Sequence, residues 1–155
     1  MAVNEYVQAE VTKLIANKTW EFPLNHAMAA TWIIAHFKGE NLKIFDMRKT
    51  SALCDYTIIA TAQNATQARA MSDEVAQNLQ AHGVKLVSFE GYDAADWILI
   101  DTGDIFVHIF NGAARDIYDF DMLHVKTPQV QIPQDFYFGK PTTVTNEKPD
   151  LKGYF

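Results

Sequence analysis

The sequence predicts an α/β fold, α+β-like in its layering: a mixed β-sheet of about five strands covered by helices. Three observations predict it. Apolar residues recur at three- and four-residue steps in the stretches 5–16, 25–37 and 64–83, as on helices buried along one face. Between and after them lie short apolar or alternating runs, "LKIFD", "YTIIAT", "VKLVSFE", "DWILID" and "IFVHIF". The last two runs are joined by Thr102-Gly103, a tight-turn pair, so they form an antiparallel hairpin and the sheet cannot be all-parallel.

The elements follow in order. Val7, Val11, Leu14 and Ile15 form one face of a short first helix. "KTWEFP" is a connector. A second helix runs from about Asn25, as N-cap, to Phe37, with Met28, Trp32 and Ala35 as its stripe. Gly39 stands where a left-handed C-terminal residue belongs. Leu42–Asp46 and Tyr56–Thr61 are strands rich in β-branched and aromatic residues. Asn64 and Gln67, three apart, resemble a capping box at the head of a long helix. Ala68, Met71, Val75 and Leu79 line that helix, and Gly83 ends it. Val84–Glu90 is a third strand, and the hairpin supplies the fourth and fifth. A last helix covers roughly Ala113 to Leu123.

Composition narrows the function classes. The 155 residues suffice for one domain with a real core. No apolar run reaches the length of a membrane span. The N-terminus has no basic flank before an apolar block, so no secretory signal is expected. A lone Cys54 forms no internal disulfide, which suits a reducing cytoplasm. With 13 Lys and Arg against 19 Asp and Glu, the net charge is -6. That balance argues against sequence-specific nucleic-acid binding through a basic face and favours a basic protein partner.

The hairpin carries the functional signal. Alternate strand residues point to opposite faces. One face collects Ile98, Ile100, Ile105, Val107 and Ile109, all aliphatic, and is core. The other collects Trp97, Leu99, Asp101, Asp104, Phe106, His108 and Phe110. With a two-residue turn, Trp97 lies across from His108 and Leu99 from Phe106. Burying one large apolar side chain is worth about 1.5–3 kcal/mol, so this face needs a cover. The cover is a helix, a second copy of the chain, or a partner.

A chemical alternative uses the same stretch. Asp55, Asp101 and Asp104 could converge on a divalent cation for nucleotidyl transfer. However, Thr57 replaces the second acid that such a strand needs. The default reading of the acids is solvated loops and a turn cap. His108 in an apolar strand reads first as a packed histidine. Cys54 has no histidine near it in sequence and reads as an inert thiol. No phosphate loop or paired metal-ligand motif is present. In "RDIYDFDMLH", a continuous helix puts Arg115, Tyr118 and Met122 on one side, residue types common at interfaces. The competing reading packs Tyr118 and Leu123 on the sheet and pairs Arg115 with Asp119.

Taken in series, Ser51 with Asp55, Glu90-Gly91, Ala95-Asp96-Trp97, Asp101, Gly103-Asp104, Val107-His108 and Arg115 three before Tyr118 resemble the ribosomal silencing factor (Iojap) family. The match runs from about Leu24 to His124. It leaves an N-terminal helical extension, 1–23, and a Pro-containing extended tail, 125–155, whose Phe136, Tyr137 and Phe138 dock on the body or on a partner. The resemblance implies a nucleotidyltransferase-like core without enzymatic activity, cofactor or metal. It implies binding to the large ribosomal subunit through its fourteenth large-subunit protein. It further implies steric blockade of subunit joining when nutrients are short, and a homodimer. The partner-binding residues it points to are Trp97, Asp101, Asp104, His108, Arg115, Tyr118, Leu123 and His124. Asp121 stands where the family usually has Glu, Phe120 where it has Leu, and His124 where it has Trp.

Overall fold

A computed structural model describes residues 4–137. Its helices are α1 (Glu5–Ala16), α2 (Leu24–His36), α3 (Ala65–Ala81), α4 (Ala114–Ile117) and α5 (Phe120–Leu123). Its strands are β1 (Glu40–Asp46), β2 (Tyr56–Ala62), β3 (Ser88–Glu90), β4 (Trp97–Asp101), β5 (Ile105–Asn111) and β6 (Gln129–Val130). A 3₁₀ turn follows at Gln134–Phe136.

The six strands form one mixed sheet in the order β3-β4-β5-β2-β1-β6. Among the described strands only β2 and β5 pair in parallel. They lie at the centre, which is why β2 is apolar almost throughout. α2 and α3 cover one face. The aliphatic side of the hairpin packs there, with Ile98, Ile100, Ile105, Val107 and Ile109 all buried. α2 is buried on nearly every side because α1 lies over it through Val7 and Val11. The second face carries a smaller cluster of Phe45, Met47, Cys54, Ile59, Phe110, Ala114 and Phe120.

Several expectations are corrected. The sheet has six strands, because β6 adds to β1 through Ile44 and Val130. The stretch after His124 is therefore not wholly an extended tail. Phe136 enters the core against the edge of Trp20, at 6.1 Å between centroids. Phe138 lies outside the described residues. β3 spans only Ser88–Glu90.

Asn25 is not an N-cap. Helix α2 starts one residue earlier, behind Pro23, and the Asn25 amide instead donates to the Ile15 carbonyl at 3.0 Å, tying α1 to α2. The left-handed residue after α2 is Lys38, at φ 68°, not Gly39. Gly39 is needed for a different reason: a Cβ there would stand 2.4 Å from Cγ2 of Ile34. Asn64 does cap α3, accepting from Gln67 N at 2.8 Å, but the Gln67 side chain accepts from Gln63 N.

The hairpin turn is displaced by one residue from Thr102-Gly103. Asp101 pairs with Phe106 and Thr102 N donates to the Ile105 carbonyl at 3.1 Å, so Gly103 and Asp104 make the turn, with Thr102 Oγ1 accepting from Ile105 N. Trp97 thus lies across from Phe110, and Leu99 from His108. The slip is two residues, so each side chain keeps its expected face.

Candidate functional site: an aromatic docking face

The second face of the hairpin is built outward from aromatic rings. Phe110 is fully buried beside Trp97, with ring centroids 5.2 Å apart. Phe120 closes over His108 at 4.5 Å. The half-buried Trp97 donates its indole N–H to His108 Nδ1 at 2.9 Å. That acceptor role puts the histidine proton on Nε2. Burial drives His108 down to a pKa of about 3, so the ring is neutral at ordinary pH.

Tyr118 lies on the outer side of Trp97, 4.9 Å between centroids and tilted by 50°. It is 51% exposed, in a run of exposed apolar side chains: Ile117 at 77%, Met122, Leu123 at 73% and Val125. Five such residues within nine positions, beside an ordered indole, form the kind of patch that soluble proteins keep for an interaction. Asp96, Asp116 and Asp119 are exposed close by in the chain.

The expected last helix is broken. Asp119 adopts φ 50° and splits it into α4 and α5, of four residues each. The break takes Met122 out of line with Arg115, and Arg115 itself turns inward while Tyr118 stays at the surface. Arg115 is only 3% exposed. Its guanidinium donates to both oxygens of Asp121 at 2.8 and 3.0 Å, to Thr61 Oγ1 at 3.2 Å and to the Asn41 carbonyl. Its expected places, as a surface contact or paired with Asp119, are both corrected: it is a buried anchor to Asp121.

Burial would raise the Asp121 carboxyl, but hydrogen bonds from Arg115 and Lys43 outweigh it and hold the pKa at about 2. Lys43, on β1, donates to Asp121 at 2.8 Å from a nearly buried position. Sequence reading missed Lys43, which looked like the polar half of an alternating strand. Nothing in a strand pattern announces a lid on its polar side.

The other candidates separate. His108 belongs to the floor of the patch, not its surface, at 5% exposure. His124 is half-buried and stacks on Phe45 at 4.7 Å, so its ring covers the second core cluster. Burial lowers its pKa, against a smaller opposing effect of Asp121. Asp101 and Asp104 sit at the other end of β4 from Trp97. Asp101 accepts from Gly103 N at 2.7 Å as a turn cap. The Asp104 carbonyl accepts from Asp55 N at 2.8 Å, so Asp55 and Asp104 meet through backbone. Among the described residues no group of three His, Cys, Asp or Glu is arranged to hold a metal ion, which corrects the grouping of Asp55, Asp101 and Asp104 on one cation. Cys54 is buried and its thiol is pushed up by desolvation. No described helix is long and apolar enough to cross a membrane.

Comparison with known proteins agrees with this architecture. Residues 23–152 match the family described as "Ribosomal silencing factor during starvation". Ribosomal silencing factor RsfS of Chromobacterium violaceum is 35% identical over 86 residues, covering 56% of this chain and 70% of the relative. That of Haemophilus influenzae is 35% identical over 86 residues, covering 56% and 84%. Among solved structures, a Chromobacterium violaceum protein is similar with a TM-score of 0.59 at 30% identity, covering 74% of this chain and 83% of its own. A Bacillus halodurans protein gives 0.59 at 29% identity, covering 66% and 92%. The family match and the similar folds place the chain in the class of ribosomal silencing factors. The chain belongs to the ribosomal silencing factor family.

Proposed function

We propose that this protein represses translation by seating its aromatic face on the large ribosomal subunit and so blocking the approach of the small subunit. The observation that carries the reading is the exposed run Ile117, Tyr118, Met122, Leu123 and Val125 beside Trp97. Within it, Trp97, Tyr118 and Leu123 are the contacts carried forward from the sequence. Arg115, His108 and His124 support them from below. Asp101 and Asp104 form a separate acidic margin at the far end of the hairpin. The exposed acids, and a net charge of -6, suit a basic protein surface on the subunit, the fourteenth large-subunit protein being the partner the family resemblance points to. Blocking by occupancy needs no catalysis and no cofactor, and it places the protein where translation occurs, in the cytoplasm. The homodimer that the family resemblance implies would use the same exposed patch to pair two copies of the chain.

The test is sedimentation of the purified protein with separated subunits. The expected result is retention on large subunits, not on small ones, with fewer joined ribosomes as protein is added. Free protein at the top of the gradient, with joining unimpeded, overturns the reading.

A further inference from the structure

We infer that Asp121 is the positioning residue of the docking face: by bonding Arg115 and Lys43 at once, it clamps the α4–α5 corner to the sheet and sets Tyr118 against Trp97. The inference rests on the docking reading and adds to it what holds the face in shape.

The corner cannot hold itself. Isolated helices shorter than about 12 residues are marginal in water, and α4 and α5 have four residues each. Neither has a side-chain cap, and the joint between them, Asp119, sits in the left-handed region that a non-glycine residue enters at a cost. Apolar packing anchors the corner mainly through Ala114 and Phe120, the Phe120 ring lying on His108, Phe110 and Trp97, while Ile117, Met122 and Leu123 are exposed.

A second hold is electrostatic and fixes the two short helices to each other. Arg115 on α4 grips Asp121 on α5 through two hydrogen bonds, bridging the break at Asp119. The same guanidinium reaches Thr61 on β2 and the Asn41 carbonyl on β1. Lys43 on β1 grips Asp121 from below. One carboxylate, directly through Lys43 and by way of Arg115, therefore joins both short helices to β1 and β2. A carboxylate shared by two largely buried cations is also what keeps those cations together. Removing its charge takes from both largely buried cations the carboxylate they share, and such a change is strongly destabilising where the charges lie out of water. Tyr118 follows directly after α4, so its place on Trp97 depends on this clamp.

The experiment compares wild type, Asp121→Asn and the milder Arg115→Lys, which keeps the charge but loses the bidentate fork. Two quantities are read: retention on large subunits across a titration, and amide hydrogen exchange residue by residue. For Asp121→Asn, affinity is expected to fall at least tenfold. Exchange is expected to rise by a similar factor at 114–124, while β2 and β5 amides stay protected. Arg115→Lys moves both readouts the same way by a smaller factor, and serves if Asp121→Asn does not fold. Unchanged affinity and exchange in both variants overturns the clamp. So does exchange that rises equally across the whole sheet, because Asp121 is then a general stability residue. If wild type itself is not retained on large subunits, the docking reading fails, while exchange at 114–124 still judges the clamp.

Discussion

The indole nitrogen of Trp97 and Nδ1 of His108 lie 2.9 Å apart, a donor and an acceptor in the floor of an otherwise apolar surface. The pair fixes the indole in one orientation, and it holds only while His108 is neutral. A protonated ring turns Nδ1 into a second donor facing the indole N–H.

Stability is therefore expected to depend on pH through His108. Its folded pKa, about 3, lies below the unfolded value of about 6.5. Between those values the unfolded chain binds the proton and the folded chain does not, so stability is complete above about 6.5 and declines as pH falls towards 3. The slope from one such group is about 1.4 kcal/mol per pH unit. Urea unfolding at pH 7, 6, 5 and 4.5 measures it. His108→Gln, whose amide oxygen can still accept from Trp97, is expected to flatten the profile by up to one proton. An identical profile in that variant removes His108 as the source.

Trp97→Ala is expected to weaken large-subunit binding by at least about 2 kcal/mol, as for a central aromatic hot spot. Leu123→Glu, at an exposed position, is expected to weaken binding while leaving the urea midpoint within about 0.5 kcal/mol of wild type. Titration against purified large subunits reads both. Wild-type affinity in either folded variant takes that residue out of the contact.

Gly91→Ala is expected to destabilise the fold more than Gly83→Ala. Both glycines have positive φ, at 82° and 83°. An added Cβ at Gly91 would stand 2.0 Å from the Trp97 carbonyl oxygen, whereas at Gly83 nothing lies within 4 Å. Gly83→Ala therefore carries only the left-handed penalty, about 1–2 kcal/mol. Gly91→Ala adds a backbone collision at the start of β4, where Trp97 sits. Thermal melting of the two variants decides the order.

Phe136→Ala is expected to cost about 3–5 kcal/mol, as for other large buried aromatics. Such a loss, read by urea unfolding, would show that the segment after His124 belongs to the folded unit. A loss below about 1 kcal/mol would make its contact with Trp20 incidental.

Local pattern was legible where neighbours in sequence are neighbours in space. The α3 stripe, the Asn64 cap and the aliphatic face of the hairpin all follow from periods of about 3.6 and 2, and they survive even a two-residue slip in register because the strand period is two. The break at Asp119 was not legible. A continuous helical period runs through "RDIYDFDMLH", and what overrides it is the pull of Thr61, Asn41 and Lys43, which lie more than fifty residues away in the chain.

The sequence by itself determined which side chains share a face, that the chain carries an acidic excess, and which family it resembles. Those are properties of order and composition. Only the tertiary structure decided that Arg115 and His108 lie beneath the surface while Ile117, Tyr118 and Leu123 stand on it. Burial depends on what folds over a residue. Here the cover is two short helices that follow β5 and are tied through Asp121 and Arg115 to β1 and β2, which lie far away in the chain.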